Sequence, residues 1–259
     1  MHSLGIEVLV DGRAWHAGVD PARLESRARE LHPACWRTPA YKALLHAGLV
    51  LADTGTIDHL VTGLPVAQHQ DKAIRAELQG LCQRRHQVCR TQQATVRRAT
   101  ILPQPMGSWL HVMQTHPEGA SMRGVVLDPG HCSTGWVPFD GSDLKAAASG
   151  SSTEAMSRVL EMASRLIMGE HREAPPREKL EQAVRQVAGR AIAAVRTALR
   201  AEGLPPDIVI LAGGGARLLE PMARETYPDS RLIVLGEEVL ANALGFGPFA
   251  HKLVAGESR

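Results

Sequence analysis

Aromatic side chains are scarce in this sequence: two tyrosines, three phenylalanines and four tryptophans in 259 residues. Proteins that hold single-stranded nucleic acid stack successive bases on aromatic rings, so that class has little material here. An excess of one charge is also missing. Lysine and arginine number 29 against 27 aspartates and glutamates, a formal net charge of +2 with pI near 8.4. No block of either sign accumulates along the chain, and charge alone does not imply a phosphate backbone as partner.

Cysteine is sparse too. Cys35, Cys82, Cys89 and Cys132 do not make the dense, evenly spaced framework of a secreted disulfide scaffold, so free thiols are expected. No apolar run reaches the ~18 to 20 residues that a helical membrane span needs. Residues 1–20 hold no basic segment followed by an apolar one, and the expectation is a cytoplasmic protein without direct membrane association. What is present is an ordinary globular composition, 44% hydrophobic and 22% charged, on a chain long enough for two cores of modest size.

Alternation of Ile6, Val8 and Val10 before Asp11-Gly12, with a return over Arg13 to Ala17, predicts a β-hairpin on a type I′ turn. Asp20-Pro21 opens a polar region, and Thr38-Pro39 precedes a short apolar helix carrying Leu44, Leu45, Leu49 and Leu51. A brief strand is expected over His59–Thr62. Helical periodicity from about Gln68 to His86 puts Ile74, Leu78, Leu81 and Cys82 on one face. A strand near Thr95–Ile101 runs into Leu102-Pro103-Gln104-Pro105-Met106-Gly107.

The turn-forming cluster His116-Pro117-Glu118-Gly119 suggests a division into residues 1–118 and 119–259. After it, Val125–Asp128 and Thr134–Phe139 read as a hairpin, and Asp143–Ser149 as a third strand. A helix is expected over Ser151–Met168, with Ser151 and Glu154 at capping-box spacing and Gly169 at its end. A longer one follows Pro175-Pro176 and runs to Gly203. Strands Ile208–Ala212 and Leu232–Leu235 and a terminal helix from about Val239 complete an α/β pattern with a mixed sheet.

Two segments carry candidate chemistry. Asp128-Pro129-Gly130-His131-Cys132-Ser133-Thr134 places a carboxylate at the end of a buried strand, before a turn with glycine and hydroxyls. Such a turn can hold a hydrated magnesium ion near phosphate oxygens; taken alone, a strand ending in Asp-Pro-Gly reads more readily as an ordinary β-turn. Gly213-Gly214-Gly215 follows a buried strand and precedes a helix, so the backbone can approach an anion at a helix N-terminus. It lacks the spacing of the dinucleotide fingerprint and the Lys-Ser/Thr of a P-loop, and alone it also reads as a plain strand-to-helix turn.

The order of these segments, ending in Ala241-Asn242-Ala243-Leu244-Gly245-Phe246, resembles the actin-like ATPases of the ParM/StbA plasmid-segregation branch. The stretches Ile57 to Val66 and Leu102 to Gly107, with the Asp128 hairpin, are most similar to the PRTRC-type protein D members. The resemblance implies a two-domain actin-like (ribonuclease H-like) α/β fold with mixed sheets, ATP and Mg2+ as ligands, self-association into filaments, and an adaptor protein bound to plasmid DNA. It also implies roles. Asp128 would serve the magnesium and, with Gln104 orienting the attacking water, catalysis. Gly130, Ser133 and Thr134 would form the second phosphate loop, Gly213, Gly214 and Gly215 the adenosine-side loop, and Asn242 would lie on the helix beyond.

The sequence also departs from that pattern. Relatives begin with a phosphate-binding segment of the form Asp-x-Gly-x-x-x-x-Lys, and none precedes Gly5, so the first domain is expected to be N-terminally incomplete. Pro129 stands where relatives have an aliphatic residue, removing an N–H, and Gly135 where they have Asp. A non-catalytic interaction module is the alternative function. Elsewhere, Cys82, His86 and Cys89 at helical spacing could offer three zinc ligands, against the commoner reading of buried cysteine on an amphipathic helix. The basic stretch from Arg84 to Arg98 reads as a solvated surface, and Ser133 has no base partner or nucleophile elbow.

Overall fold

Asp11 and Gly12 both adopt left-handed backbone, at φ 48° and 81°, as a type I′ turn requires. They join β1 (Ile6–Val10) to β2 (Arg13–Ala17) in the expected antiparallel hairpin, with Val10 opposite Arg13. The structure is a computed structural model, describing residues 5–19, 34–168, 177–201, 203, 205–235 and 240–257. The expected breaks at Asp20-Pro21, Gly169 and Pro175-Pro176 lie outside the described residues.

The chain forms two compact units. One comprises Met1–Leu60, Ala76–Thr100 and Leu253–Arg259, the other Val61–Arg75 and Ile101–Lys252. In the first, α1 (Pro39–Leu51) starts on Thr38, whose hydroxyl oxygen accepts the Tyr41 N–H, with Pro39 in the first turn. Its Ala43 and Ala47 pack on Val8, Val10 and Ala17 of the hairpin. The chain continues with β3 (Thr56–Leu64), α2 (Val66–Gln70), α3 (Lys72–Cys82), β4 (Arg85–Gln87) and β5 (Gln93–Pro103), of which Val61–Arg75, and so α2, belongs to the second unit. The last three strands form a sheet in the order β3-β5-β4.

The single helix expected over Gln68–His86 is therefore corrected to two helices and a strand. Asp71 is extended, and its Oδ1 accepts the N–H groups of Ala73 and Ile74 at 2.8 and 3.2 Å, capping a new helix. His86 pairs with Ala94 in the β4–β5 ladder, so it shares no helix face with Cys82 and Cys89. Among the described residues no three His, Cys, Asp or Glu side chains group to hold a metal ion. The four cysteines are free thiols.

The second unit holds α4 (Gln104–Thr115), β6 (Arg123–Pro129), β7 (Thr134–Asp140), β8 (Asp143–Leu144), β9 (Gly150–Ser152), α5 (Met156–Met168), α6 (Arg177–Ala201), β10 (Ile208–Leu211), α7 (Ala216–Thr226), β11 (Arg231–Val234) and α8 (Ala241–Glu257). Its sheet has the order β11-β10-β6-β7-β8, with β9 also on β7. Strand β10 runs parallel to β6 and β11, while β6 and β7 are antiparallel. Side chains alternate between faces. Val125, Leu127, Val209 and Leu211 pack on Ile192, Val195 and Leu199 of α6, and Val126, Ile208 and Ile210 on Trp109 and Val112 of α4. Because α4 covers this sheet, the cut expected at 118/119 falls inside the second unit.

Two further expectations are corrected here. The third strand over Asp143–Ser149 is interrupted by a 3-10 turn at Ala146–Ala148, where the Ala148 carbonyl accepts the Trp136 indole N–H at 3.0 Å. The helix expected from Ser151 starts at Met156, because Ser151 and Ser152 are taken into the ladder opposite Gly135 and Thr134. Pairing with a central strand outweighs the capping-box spacing.

Helices α4 and α8 meet backbone to backbone. A methyl group on Gly245 would lie 1.8 Å from the Gly107 carbonyl oxygen, and one on Gly107 would lie 2.4 Å from that of Asn242. Neither neighbour is the end of a flexible side chain. Gly245→Ala is thus expected to destabilise the protein by about 3 kcal/mol, the upper part of the overpacking range. Gly247→Ala, with nothing within 4 Å of the added carbon, should be neutral or stabilising by up to about 1 kcal/mol. Urea unfolding of the two variants checks the contrast.

Candidate functional site

Register brings the two sequence motifs together. Leu127 of β6 lies opposite Leu211 of the parallel strand β10, and Ala212 N–H donates to the Leu127 carbonyl at 2.9 Å. Both strands therefore end at the same edge of the sheet, the position at which open α/β sheets expose ligand-binding crevices. Asp128 is the next residue on one strand and Gly213 the turn on the other.

Gly213 has φ +73°, and a β-carbon there would lie 2.2 Å from Asp128 Oδ1 and 3.1 Å from the Pro129 carbonyl oxygen. Any side chain would be strained in backbone and would displace the carboxylate. Gly215 N–H donates to the Pro129 carbonyl at 2.9 Å, tying the triple glycine to the β6–β7 turn, and α7 starts at Ala216. Among the described residues the N–H groups of Gly213 and Gly214 have no hydrogen-bond partner.

Asp128 is 8% exposed, and burial pushes its carboxyl above the usual carboxylate range, opposed by one hydrogen bond from Asn242. Asn242 Nδ2 donates to Asp128 Oδ2 at 2.8 Å, and Asn242 Oδ1 accepts from the N–H and hydroxyl of buried Ser108 at 3.1 and 2.7 Å. The amide thus links α8, α4 and the end of β6. Asp128 Oδ1 has no hydrogen-bond partner among the described residues.

The remaining predicted residues divide into those that join this corner and those engaged elsewhere. Gln104 opens α4, its side chain resting against Gly63; Pro105 lies against Gly135, which pairs with Asp128 across the β6–β7 ladder. Among the described residues the Gln104 amide has no hydrogen-bond partner. Gly130 N–H is held inside the turn by the Ser133 carbonyl at 2.9 Å, and the hydroxyl of buried Thr134 donates to the Glu154 carbonyl at 2.7 Å. Ser133 is half-buried at the turn.

The sequence reading missed Ser108, the link between Asn242 and α4; a hydroxyl one residue beyond Gly107 in a helix facing small residues was its only signal. It also missed a cavity of about 470 Å³ between α6 and α7, lined by Glu181, Val184, Arg185, Arg217, Leu218 and Met222. Arg217 and Leu218 follow the triple glycine after Ala216, and Leu218 is 45% exposed at the opening.

Residues 1–107 match the family of actin-like protein N-terminal domains. No curated protein matches the chain. Among solved structures it is similar to Ta0583, an archaeal actin homolog, at 19% identity and TM-score 0.73, over 95% of this chain and 87% of that one. The ADP complex of the same homolog gives TM-score 0.67 at 19% identity, over 95% and 89%. A non-polymerisable quadruple mutant of pCBH ParM gives 0.68 at 16% identity, over 95% and 86%. The Alp12 filament structure gives 0.62 at 14% identity, over 96% and 83%. The chain thus has the actin-like α/β fold with mixed sheets, as the resemblance implied.

A buried carboxylate opposes folding when charged. Its folded-state pKa lies above the unfolded one, so stability is greatest when Asp128 is protonated and falls as pH rises through the folded value. In metal-free buffer, Asp128→Asn should therefore be more stable than the wild type at neutral pH. That advantage should disappear as pH falls to about 4, near the unfolded value. Denaturant midpoints at a series of pH values check the sign.

Proposed function

We propose that this chain is an actin-like nucleotide-binding protein of the plasmid-segregation or maintenance type, which binds ATP with Mg2+ at the Asp128–Gly213 corner, hydrolyses it, and assembles into filaments. The observation that carries this reading is the contact of Gly213 with the Asp128 carboxylate. Two motifs about eighty residues apart in sequence are brought within van der Waals distance by strand register. PRTRC-type identity, an adaptor protein on plasmid DNA and a cytoplasmic location are parts of the same proposal. Among the described residues no helix is long and apolar enough to cross a membrane.

The donor set at this corner suits magnesium. Mg2+ keeps several waters and is held by one or two carboxylates together with substrate phosphates, and Asp128 offers one oxygen with no hydrogen-bond partner among the described residues. When bound, the ion would neutralise phosphate charge. Gly213 and Gly214 would present N–H groups to phosphate at the start of α7, and the cavity between α6 and α7 would take the base and ribose. Gln104 would orient the attacking water through an amide that has no hydrogen-bond partner among the described residues, and Asn242, held by Ser108, would aim the Asp128 carboxylate. Ser133, Gly130 and Thr134 form the turn around that carboxylate.

A second reading, a nucleotide-binding relative without turnover, is favoured by one feature of this turn. Pro129 has no N–H, the Gly130 N–H is bonded to Ser133, and the Thr134 hydroxyl is bonded to Glu154. The β6–β7 turn thus offers fewer donors to a transferring phosphoryl group, whose catalysis depends on them.

Titration with a fluorescent ATP analogue, with Mg2+ and with EDTA, tests binding. The wild type is expected to bind more tightly with Mg2+, and Asp128→Ala to lose that dependence. Gln104→Ala should bind as the wild type does but hydrolyse about 10²-fold more slowly. Binding without hydrolysis by the wild type would select the second reading, and no binding would reject both. Light scattering on adding Mg-ATP reads filament assembly.

A further inference from the structure

Away from the nucleotide corner, in the first compact unit, two histidines make a contact whose protons do not add up. His46 of α1 and His86 of β4 are 7% and 3% exposed. His46 Nδ1 lies 2.7 Å from the Leu9 carbonyl oxygen, and His86 Nε2 lies 2.8 Å from that of Cys82. Their other nitrogens, His46 Nε2 and His86 Nδ1, face each other at 3.2 Å, with ring planes at 79°.

A carbonyl oxygen can only accept, so each outer contact requires a ring N–H. Two neutral imidazoles have one N–H apiece. With both directed at the carbonyls, the inner contact sets lone pair against lone pair. Turning either ring to its other tautomer supplies the inner hydrogen bond but sets a lone pair against a buried carbonyl. Three contacts need three protons.

The charged groups around the pair act in both directions. Arg84 opposes a positive charge on either ring, as does Lys42 on His46, while Asp11 at the hairpin turn favours it; Lys42 and Asp11 themselves form an ion pair at 3.0 Å. Burial holds each imidazole below its ordinary range, and it pushes the Cys82 thiol up to about 11, leaving that group uncharged. A cavity of about 230 Å³, lined by Asp11, Gly12, Arg85 and Gln87 as well as both rings, gives a proton a path from solvent.

We propose that His46 and His86 form a proton-operated clasp. One proton shared between His46 Nε2 and His86 Nδ1 completes the hydrogen-bonded chain from Leu9 to Cys82 and fastens the β1–β2 hairpin to α1 and β4. The two rings titrate as one unit. A second proton would set N–H against N–H and open the clasp, so the pair holds at most one extra proton while folded. Leu9 is the reporter, since its N–H donates to the Val88 carbonyl at 2.9 Å while its own carbonyl accepts from His46.

Imidazole 15N NMR of the full chain across pH, with amide exchange at Leu9 corrected for intrinsic rate, tests the clasp. Both rings are expected to change together at one midpoint with uptake of a single proton. Leu9 protection should rise about tenfold over the same range, as for a hydrogen bond to a charged group. In His86→Gln, whose side chain can donate without titrating, that pH dependence should vanish, and His46→Gln serves the same purpose if the first variant does not fold. Separate midpoints for the two rings, or fixed neutral tautomers with unchanged Leu9 protection, would overturn the clasp. So would a response of both rings to added Zn2+ with none to pH, which would put a metal ion where the proton is assigned.

Discussion

A carboxylate held at the joint ends of two parallel strands is the constraint around which the second unit is arranged. Asp128 cannot move away from β10 because the Leu127–Leu211 register fixes both strand ends. It cannot be approached by any residue but glycine on the other side, since Gly213 already lies against its oxygen in a left-handed conformation. The third side is closed by Asn242, which the backbone contact of Gly107 with Gly245 holds in place. A buried acid with one hydrogen bond destabilises a fold that has no use for it. Its place at the strand ends, rather than among the apolar residues of the sheet, is where open α/β sheets hold ligands, and it supports the proposed site.

The hairpin at Asp11-Gly12, the Asp128 hairpin, the long helix and the strand before the triple glycine were legible in the sequence because each is fixed by local chemistry. Two consecutive positive-φ positions demand Asp-Gly, and a fully apolar run of four demands burial on both faces. The errors came where a local cap or a distant partner overrode periodicity or spacing. Gln68 to His86 has helical periodicity throughout, yet Asp71 restarts the helix and β5 captures His86. Ser151 has capping-box spacing, yet β7 pairs with it.

The candidate site was legible as two motifs and illegible as a geometry. Asp128 and Gly213 could be named from strand-turn patterns, but their contact depends on parallel register across eighty residues. Ser108 carried almost no signal, since a serine in an amphipathic helix is usually solvated or bonded to its own backbone. Its hydroxyl instead donates to an amide 134 residues away. Thr134 and Gly130 illustrate the reverse case: their residue types suit phosphate binding, while their hydrogen-bonding groups are engaged by Glu154 and Ser133.

The Asp128 and His46–His86 networks differ in what they lack, and the difference decides what each can respond to. In the chain Ser108–Asn242–Asp128 the Ser108 N–H and hydroxyl and one N–H of the Asn242 amide each meet an acceptor, and among the described residues one carboxylate oxygen is left over, where a cation or a proton could be added. In the chain Leu9–His46–His86–Cys82 three contacts share only two N–H donors when both rings are neutral. An ion with a hydration shell suits the first, which lies at the ends of two parallel strands beside the Gly213 and Gly214 N–H groups, without partners among the described residues. At the second, the 3.2 Å separation of the facing nitrogens is that of an N–H···N hydrogen bond, and a proton fills it without moving either ring.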